Sequence, residues 1–188
     1  MNTAPPPSPA AAFVTSLAWI SLALAVLGTA WALAQLMVGL LVPDTAMVEL
    51  AERGLVPPLL VSLFESRNVL ALGMLASALA LLVAAWGLLR RREWARQAFI
   101  ALLLLGALAN FAGLALIDPM FDSALAMFPD AMQSTPEGQL AIAQLQSSRR
   151  LVWVTSLAGA LAIAALHGWV AWQLCTAAVR AQFNRRQA

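Results

Sequence analysis

The sequence predicts an all-α protein, a four-helix transmembrane bundle with both ends on the cytoplasmic side and short helical elements in its two outer loops. Three observations predict it. Hydrophobic residues make up 62% of the 188-residue chain and charged residues only 11%, against about 45–50% and about 25% in a soluble domain. Four apolar stretches are each long enough to cross hydrocarbon. The arginines gather on alternate sides of those stretches.

The opening MNTAPPPSPA (residues 1–10) is rich in Pro and small residues and reads as a short disordered lead. The apolar stretches follow at about 13–42, 69–89, 97–117 and 151–175, within a single integral membrane domain that spans 1–188. A span takes roughly 20 apolar residues at about 1.5 Å of rise each, and all four qualify. Hydrocarbon offers the backbone no hydrogen bonds, so each stretch must satisfy its own as a helix. Spanning strands would be shorter and would alternate polar with apolar. All ten prolines fall outside the spans or at their edges, so no proline kink is expected.

Orientation comes from charge. The turn between the second and third spans, RRREWAR, sets Arg90, Arg91, Arg92 and Arg96 against Glu93, and the tail at 176–188 adds Arg180, Arg185 and Arg186. The other two connections, at 43–67 and 118–150, are net acidic. Basic segments stay in the cytoplasm, so both ends lie inside. Trp86, Trp94, Trp169 and Trp172 fall near the inner interface and Trp153 near the outer one, as interfacial indoles do. A competing reading takes Ala32-Leu33-Ala34 before Gln35 as a signal-peptidase site that would remove 1–34. It is disfavoured because the lead has no basic side chain and the apolar run continues to Val42.

The outer loops carry helix signals. Asp44 is placed to cap a short helix through about Arg53, with Met47, Leu50 and Ala51 on one side. Pro57-Pro58 opens a second that is expected to run into the second span. Thr135-Pro136-Glu137 opens a third that is expected to run into the fourth, with a capping residue, Pro at the first position and an acid in the first turn. Met120, Phe121, Ala124, Leu125 and Phe128 form an apolar stripe between Pro119 and Pro129, fit to lie on the interface or over the bundle. Ser66-Arg67 before the second span matches Ser148-Arg149 before the fourth, a faint sign of two tandem hairpins.

Small residues recur every four positions in two spans: Ser156, Ala160, Ala164 and Gly168 in the fourth, and Ala76, Ala80 and Ala84 in the second, where Gly73 also pairs with Ser77. Such stripes let helix backbones approach closely. Packing inside one bundle is the favoured use, a homo-oligomer face the alternative. The candidate polar or ligand residues are Gln35, Asn110, His167, Arg67, Arg149 and Arg150. Gln35 and Asn110 fall in the outer halves of their spans and are placed to bond helix to helix. His167, in the inner half of the fourth span, is a packing residue or a haem, proton or quinone contact; a bis-His haem needs a second histidine, and the chain has one. Arg67 and Arg149–Arg150 sit on the outer side, where they anchor to headgroups, pair with Glu65, Asp118 or Asp122, or form an anion site. No catalytic, cofactor-binding or metal-ligating set is recognised, and the single Cys175 excludes an intrachain disulfide.

FVTSLAWI at 13–20, GLLRRREWAR at 87–96 and HGWVAWQL at 167–174 resemble a group of short bacterial membrane proteins with four predicted spans and a central basic turn. The resemblance implies this topology and a bacterial inner (cytoplasmic) membrane, and carries over no functional residue. The expected function is non-enzymatic: an accessory, scaffold or regulatory subunit. The alternatives are a small oligomeric transporter or lipid-handling protein, and a haem- or quinone-binding protein using His167. Expected partners are membrane lipid and other protein helices, or a second copy of the chain; nothing pairs the basic turn with a nucleic-acid-binding fold.

Overall fold

The computed structural model of the chain describes residues 8–41, 45–53, 56–129 and 133–184. Among them every regular element is a helix, in the order α1 (Pro9–Leu41), α2 (Thr45–Glu52), α3 (Pro58–Glu65), α4 (Arg67–Leu89), α5 (Glu93–Leu114), α6 (Ile117–Leu125), α7 (Pro136–Cys175) and α8 (Ala177–Asn184). Four stretches are long and apolar enough to cross a membrane: α1, α4, α5 with α6, and α7.

Helix ends follow local chemistry. Ser8 Oγ accepts the Ala11 N–H at 3.3 Å, and Pro9 stands at the first helical position, where it lacks only a donor that no helix would use. α1 therefore starts inside the expected disordered lead, whose first seven residues lie outside the described ones. It continues through Gln35 to Leu41. The expected Asp44 cap of α2, the Met47 and Ala51 side chains and the tail arginines Arg185 and Arg186 also lie outside the described residues. α7 behaves as its sequence signals: Thr135 Oγ1 accepts the Gly138 N–H at 3.1 Å, and Pro136 opens a helix of 40 residues without a break.

Two expected boundaries move. α3 and α4 are separate helices with only Ser66 between them, where φ −84° and ψ 0° depart from helical values although its N–H still bonds Ser62 O at 3.1 Å. The third apolar stretch breaks after Leu114, three residues before its expected end. Pro119 is the physical reason. It offers no N–H to the Ala115 carbonyl and its ring would crowd that carbonyl, so the chain turns at 115–116 and Pro119 falls in the first turn of α6. The tail also differs from expectation: past Thr176 it forms α8, with Val179 and Phe183 buried.

The chain divides into two compact units. The first holds the described residues through Ala34, Ala71–Gly106 and those from Ala164 on. Its core is Val14 and Ala18 from α1, Ala84 and Leu88 from α4, Phe99 from α5, Val170 and Leu174 from α7, and Val179 and Phe183 from α8. On α1, Val14, Ala18, Ser21, Ala25 and Ala32 are buried. With half-buried Gly28 they follow the alternating four-three spacing of a coiled-coil seam. The seam consists mostly of small residues, so α4 approaches closely: a Cβ on Gly28 would lie 3.5 Å from Ala78 Cβ.

The α4–α5 turn closes this unit. Arg91 N–H donates to Leu88 O at 2.9 Å and Arg92 N–H to Gly87 O at 3.0 Å, the paired bonds of a Schellman cap. Arg91 takes the left-handed position, φ 55°, where glycine is usual. Its guanidinium Nη2 donates to Ala11 O at 2.9 Å and Thr15 Oγ1 at 2.8 Å, tying the turn to the start of α1. Arg91→Gly relieves the backbone and loses the tie, whereas Arg91→Ala loses the tie and keeps the strain. The alanine variant is therefore expected to be less stable than the glycine variant by about 1 kcal/mol, measured by denaturant unfolding in detergent.

The second unit holds Gln35–Leu70 and Ala107–Ile163. There α3 packs against both α2 and α6. Leu59 and Leu60 share a small cavity with Met120 and Ala124 from the predicted apolar stripe. Exposed Arg53, just past the end of α2, pairs with Glu49 one turn back at 2.6 Å, worth a few tenths of a kcal/mol (about 0.3–0.5) at such a site.

The small-residue stripes part ways. Ala160 is buried and Ser156 and Ala164 half-buried, so most of the α7 stripe faces neighbouring helices. On α4, Gly73, Ala76, Ser77 and Ala80 are exposed and only Ala84 is buried. Packing inside the bundle, the favoured expectation, is thus corrected for α4. Its inward face is instead the one that carries Ala71, Ala85 and Leu88.

Candidate functional site

The predicted polar residues do not gather into one site. Arg67 opens α4, where a cation opposes the helix dipole, yet it serves another helix. Its Nη2 donates to the Gly39 carbonyl at 2.9 Å, in the last turn of α1, and its guanidinium lies 3.9 Å over the Phe64 ring. A cation on C-terminal carbonyls is the favourable end of the dipole. Gly39 makes the approach fit: a Cβ there would stand 2.1 Å from Asn68 Oδ1 and 3.5 Å from Arg67 Nε.

Arg149 joins α7 to α6. Its Nε donates to Asp118 Oδ1 at 2.8 Å and its Nη1 to Asp122 Oδ1 at 2.9 Å. The two carboxylates stand one helical turn apart on α6 and were two of the three expected partners. Arg150 is exposed and forms no ion pair among the described residues. Ser66-Arg67 and Ser148-Arg149, matched in sequence, differ in setting: Ser66 separates two helices while Ser148 lies inside one. Arg149→Gln is expected to change global stability little, since all three groups are solvent-exposed in part. Amide exchange over 117–125 should nevertheless speed up, because α6 loses its tie to α7.

Asn110 lines an open groove of about 320 Å³ in the second unit, together with Gly113, Ile117, Ser156, Gly159 and Ile163. A Cβ at Gly113 or Gly159 would meet nothing within 4 Å, so the missing side chains make the space. Gln35 is exposed on α1 and does not line the groove. The polar groups brought together at the groove are thus Asn110 and Ser156, not Asn110 and Gln35.

His167 belongs to the first unit and is half-buried against Gly106. A Cβ on that glycine would lie 3.4 Å from the imidazole Cε1. Its Nδ1 is buried with no hydrogen-bond partner among the described residues. Among those residues no three His, Cys, Asp or Glu side chains come together as a metal site.

Sequence reasoning gave the central arginines no inward role. The structure gives two of them inward roles. Arg96 is buried, pairs with Glu93 through its Nε and Nη2, and donates from Nη1 to the Leu174 carbonyl at 3.2 Å, one residue before α7 ends. Arg67 and Arg96 thus do the same work on different helices, each bonding a carbonyl in a final turn. The three-residue spacing of Glu93 and Arg96 on a helix start was the available signal for the pair; nothing local pointed to Leu174. No family model, curated protein or solved structure matches this chain.

Proposed function

We propose that the chain is a four-span protein of a bacterial inner membrane, with both ends in the cytoplasm, that serves as a non-enzymatic accessory, scaffold or regulatory subunit. The observation that carries the reading is how the polar side chains are used. Arg67, Arg91, Arg96 and Arg149 each fasten one helix to another. The long helices meanwhile expose Leu, Val, Ile, Met and Trp around much of their girth. Side chains spent on internal fastening fit a protein whose work is done by its surface. The exposed Gly73, Ser77 and Ala80 on α4 offer a partner helix a close approach.

A photo-crosslinker at Ser77, in native membranes, tests this. The expected result is one recurrent protein adduct, lost in Gly73→Leu with Ala80→Leu while the melting temperature holds. A chain that crosslinks only to lipid and is always recovered alone contradicts the reading. The groove at Asn110 and Ser156 favours lipid handling as the second reading. Filling it with Gly159→Phe is expected to abolish lipid exchange between vesicles if that reading is right, and to leave the crosslink untouched if the first is.

A further inference from the structure

The basic turn divides its arginines between two tasks. Arg91 and Arg96 point inward and are consumed by Ala11 O, Thr15, Glu93 and Leu174 O. Arg90 and Arg92 are exposed and form no ion pair among the described residues. Arg90 instead lies 4.9 Å over the indole of Trp86, itself about half exposed, as is Trp94 on the other side of the turn. A third exposed cation comes from elsewhere in the sequence. α8 docks through Val179 and Phe183 on the core that Leu88 and Phe99 bring from the two sides of the turn, and Arg96 bonds Leu174 O just before α8 begins; Arg180 is left on the outward side of α8. Glu93 is already held by Arg96, so it does not cancel the outer three.

We infer that Arg90, Arg92 and Arg180 form a binding surface for the phosphate of an anionic phospholipid, with Trp86 and Trp94 at the glycerol level beside it. The surface combines cations with indoles that carry an apolar body and a polar tip, the composition that suits a headgroup boundary better than free anion in water. The inference rests on the four-span reading. It goes beyond it by separating lipid-binding arginines from structural ones in a single turn.

The test uses the full chain purified in a neutral detergent, with phosphatidylglycerol, phosphatidylcholine and inorganic phosphate as probes and native mass spectrometry as the readout. Phosphatidylglycerol is expected to bind at least tenfold more tightly than phosphatidylcholine, whose phosphate is neutralised by its own choline cation, since each arginine near a net anionic headgroup contributes about fivefold. Arg90→Gln, Arg92→Gln and Arg180→Gln combined should bring the two lipids level, and the matching Lys triple should keep most of the preference. Arg91→Gln should keep the preference while lowering the melting temperature. Equal binding of both lipids by the unaltered chain, or a preference that survives the Gln triple, overturns the inference. So does full competition by inorganic phosphate, which would mark a free-anion site. A chain that stays soluble and monodisperse without detergent defeats the four-span reading instead.

Discussion

Gly87→Ala is expected to destabilise the protein by about 1–3 kcal/mol, and Gly87→Leu by more, because the α4–α5 turn has no space for a side chain there. A Cβ at this position would stand 2.4 Å from Ala95 Cβ and 3.1 Å from the Trp94 ring. Ala95 Cβ is fixed to its backbone, so relief requires the two helices to part at the turn. The Gly87 carbonyl also accepts the Arg92 N–H that closes the cap, so the same shift loosens the turn itself. Gly73 supplies the control on the same helix. A Cβ there meets nothing within 4 Å, so Gly73→Ala should be neutral or stabilising by up to about 1 kcal/mol through helix propensity. Unfolding of both variants in detergent is the measurement. Equal stabilities would show that close approach at the turn is not what Gly87 provides.

Arg96→Ala should cost at least about 2 kcal/mol. Breaking a fully buried pair costs about 3–5 kcal/mol because the remaining charge is stranded. Here the Arg96 side chain is 10% exposed and that of Glu93 29%, so water recovers part of the loss. Removing the guanidinium also leaves Leu174 O, near the end of α7, without its side-chain donor. Arg96→Met with Glu93→Gln should be more stable than Arg96→Ala alone, since it removes the stranded carboxylate and keeps the packing volume. Thermal unfolding of the single and double variants decides the matter. If the double variant is the worse one, the ion pair is not the source of the effect.

What could be read from sequence divides along a physical line. The long helices were legible because they rest on continuous apolar runs, and α7 was legible to its first residue because Thr135, Pro136 and Glu137 act locally. Ser8-Pro9 carries a similar local signal at the head of α1, hidden by the surrounding prolines and alanines. α8 was missed for another reason. Val179 and Phe183 are only two apolar residues among polar ones, and a helix that short is stabilised mainly by the core it docks on. Among the candidate site residues, Arg149 found carboxylates that charge alone predicted. The Arg67 bond to Gly39 O was not legible, because a backbone carbonyl leaves no trace in side-chain pattern. Gly39 and Gly87 were invisible for the same reason: each glycine is explained by a neighbour brought close by tertiary structure. The exposed α4 stripe shows the limit of periodicity, since spacing of four marks a face but not which way that face points.

Single-cysteine labelling tests the four-span arrangement most directly. With Cys175→Ser as background, Arg92→Cys and Gln133→Cys are each treated in intact bacterial cells with a membrane-impermeant maleimide. The arrangement predicts reaction at position 133 in intact cells and at position 92 only after lysis. Labelling of position 92 in intact cells, or of neither position until lysis, would contradict it.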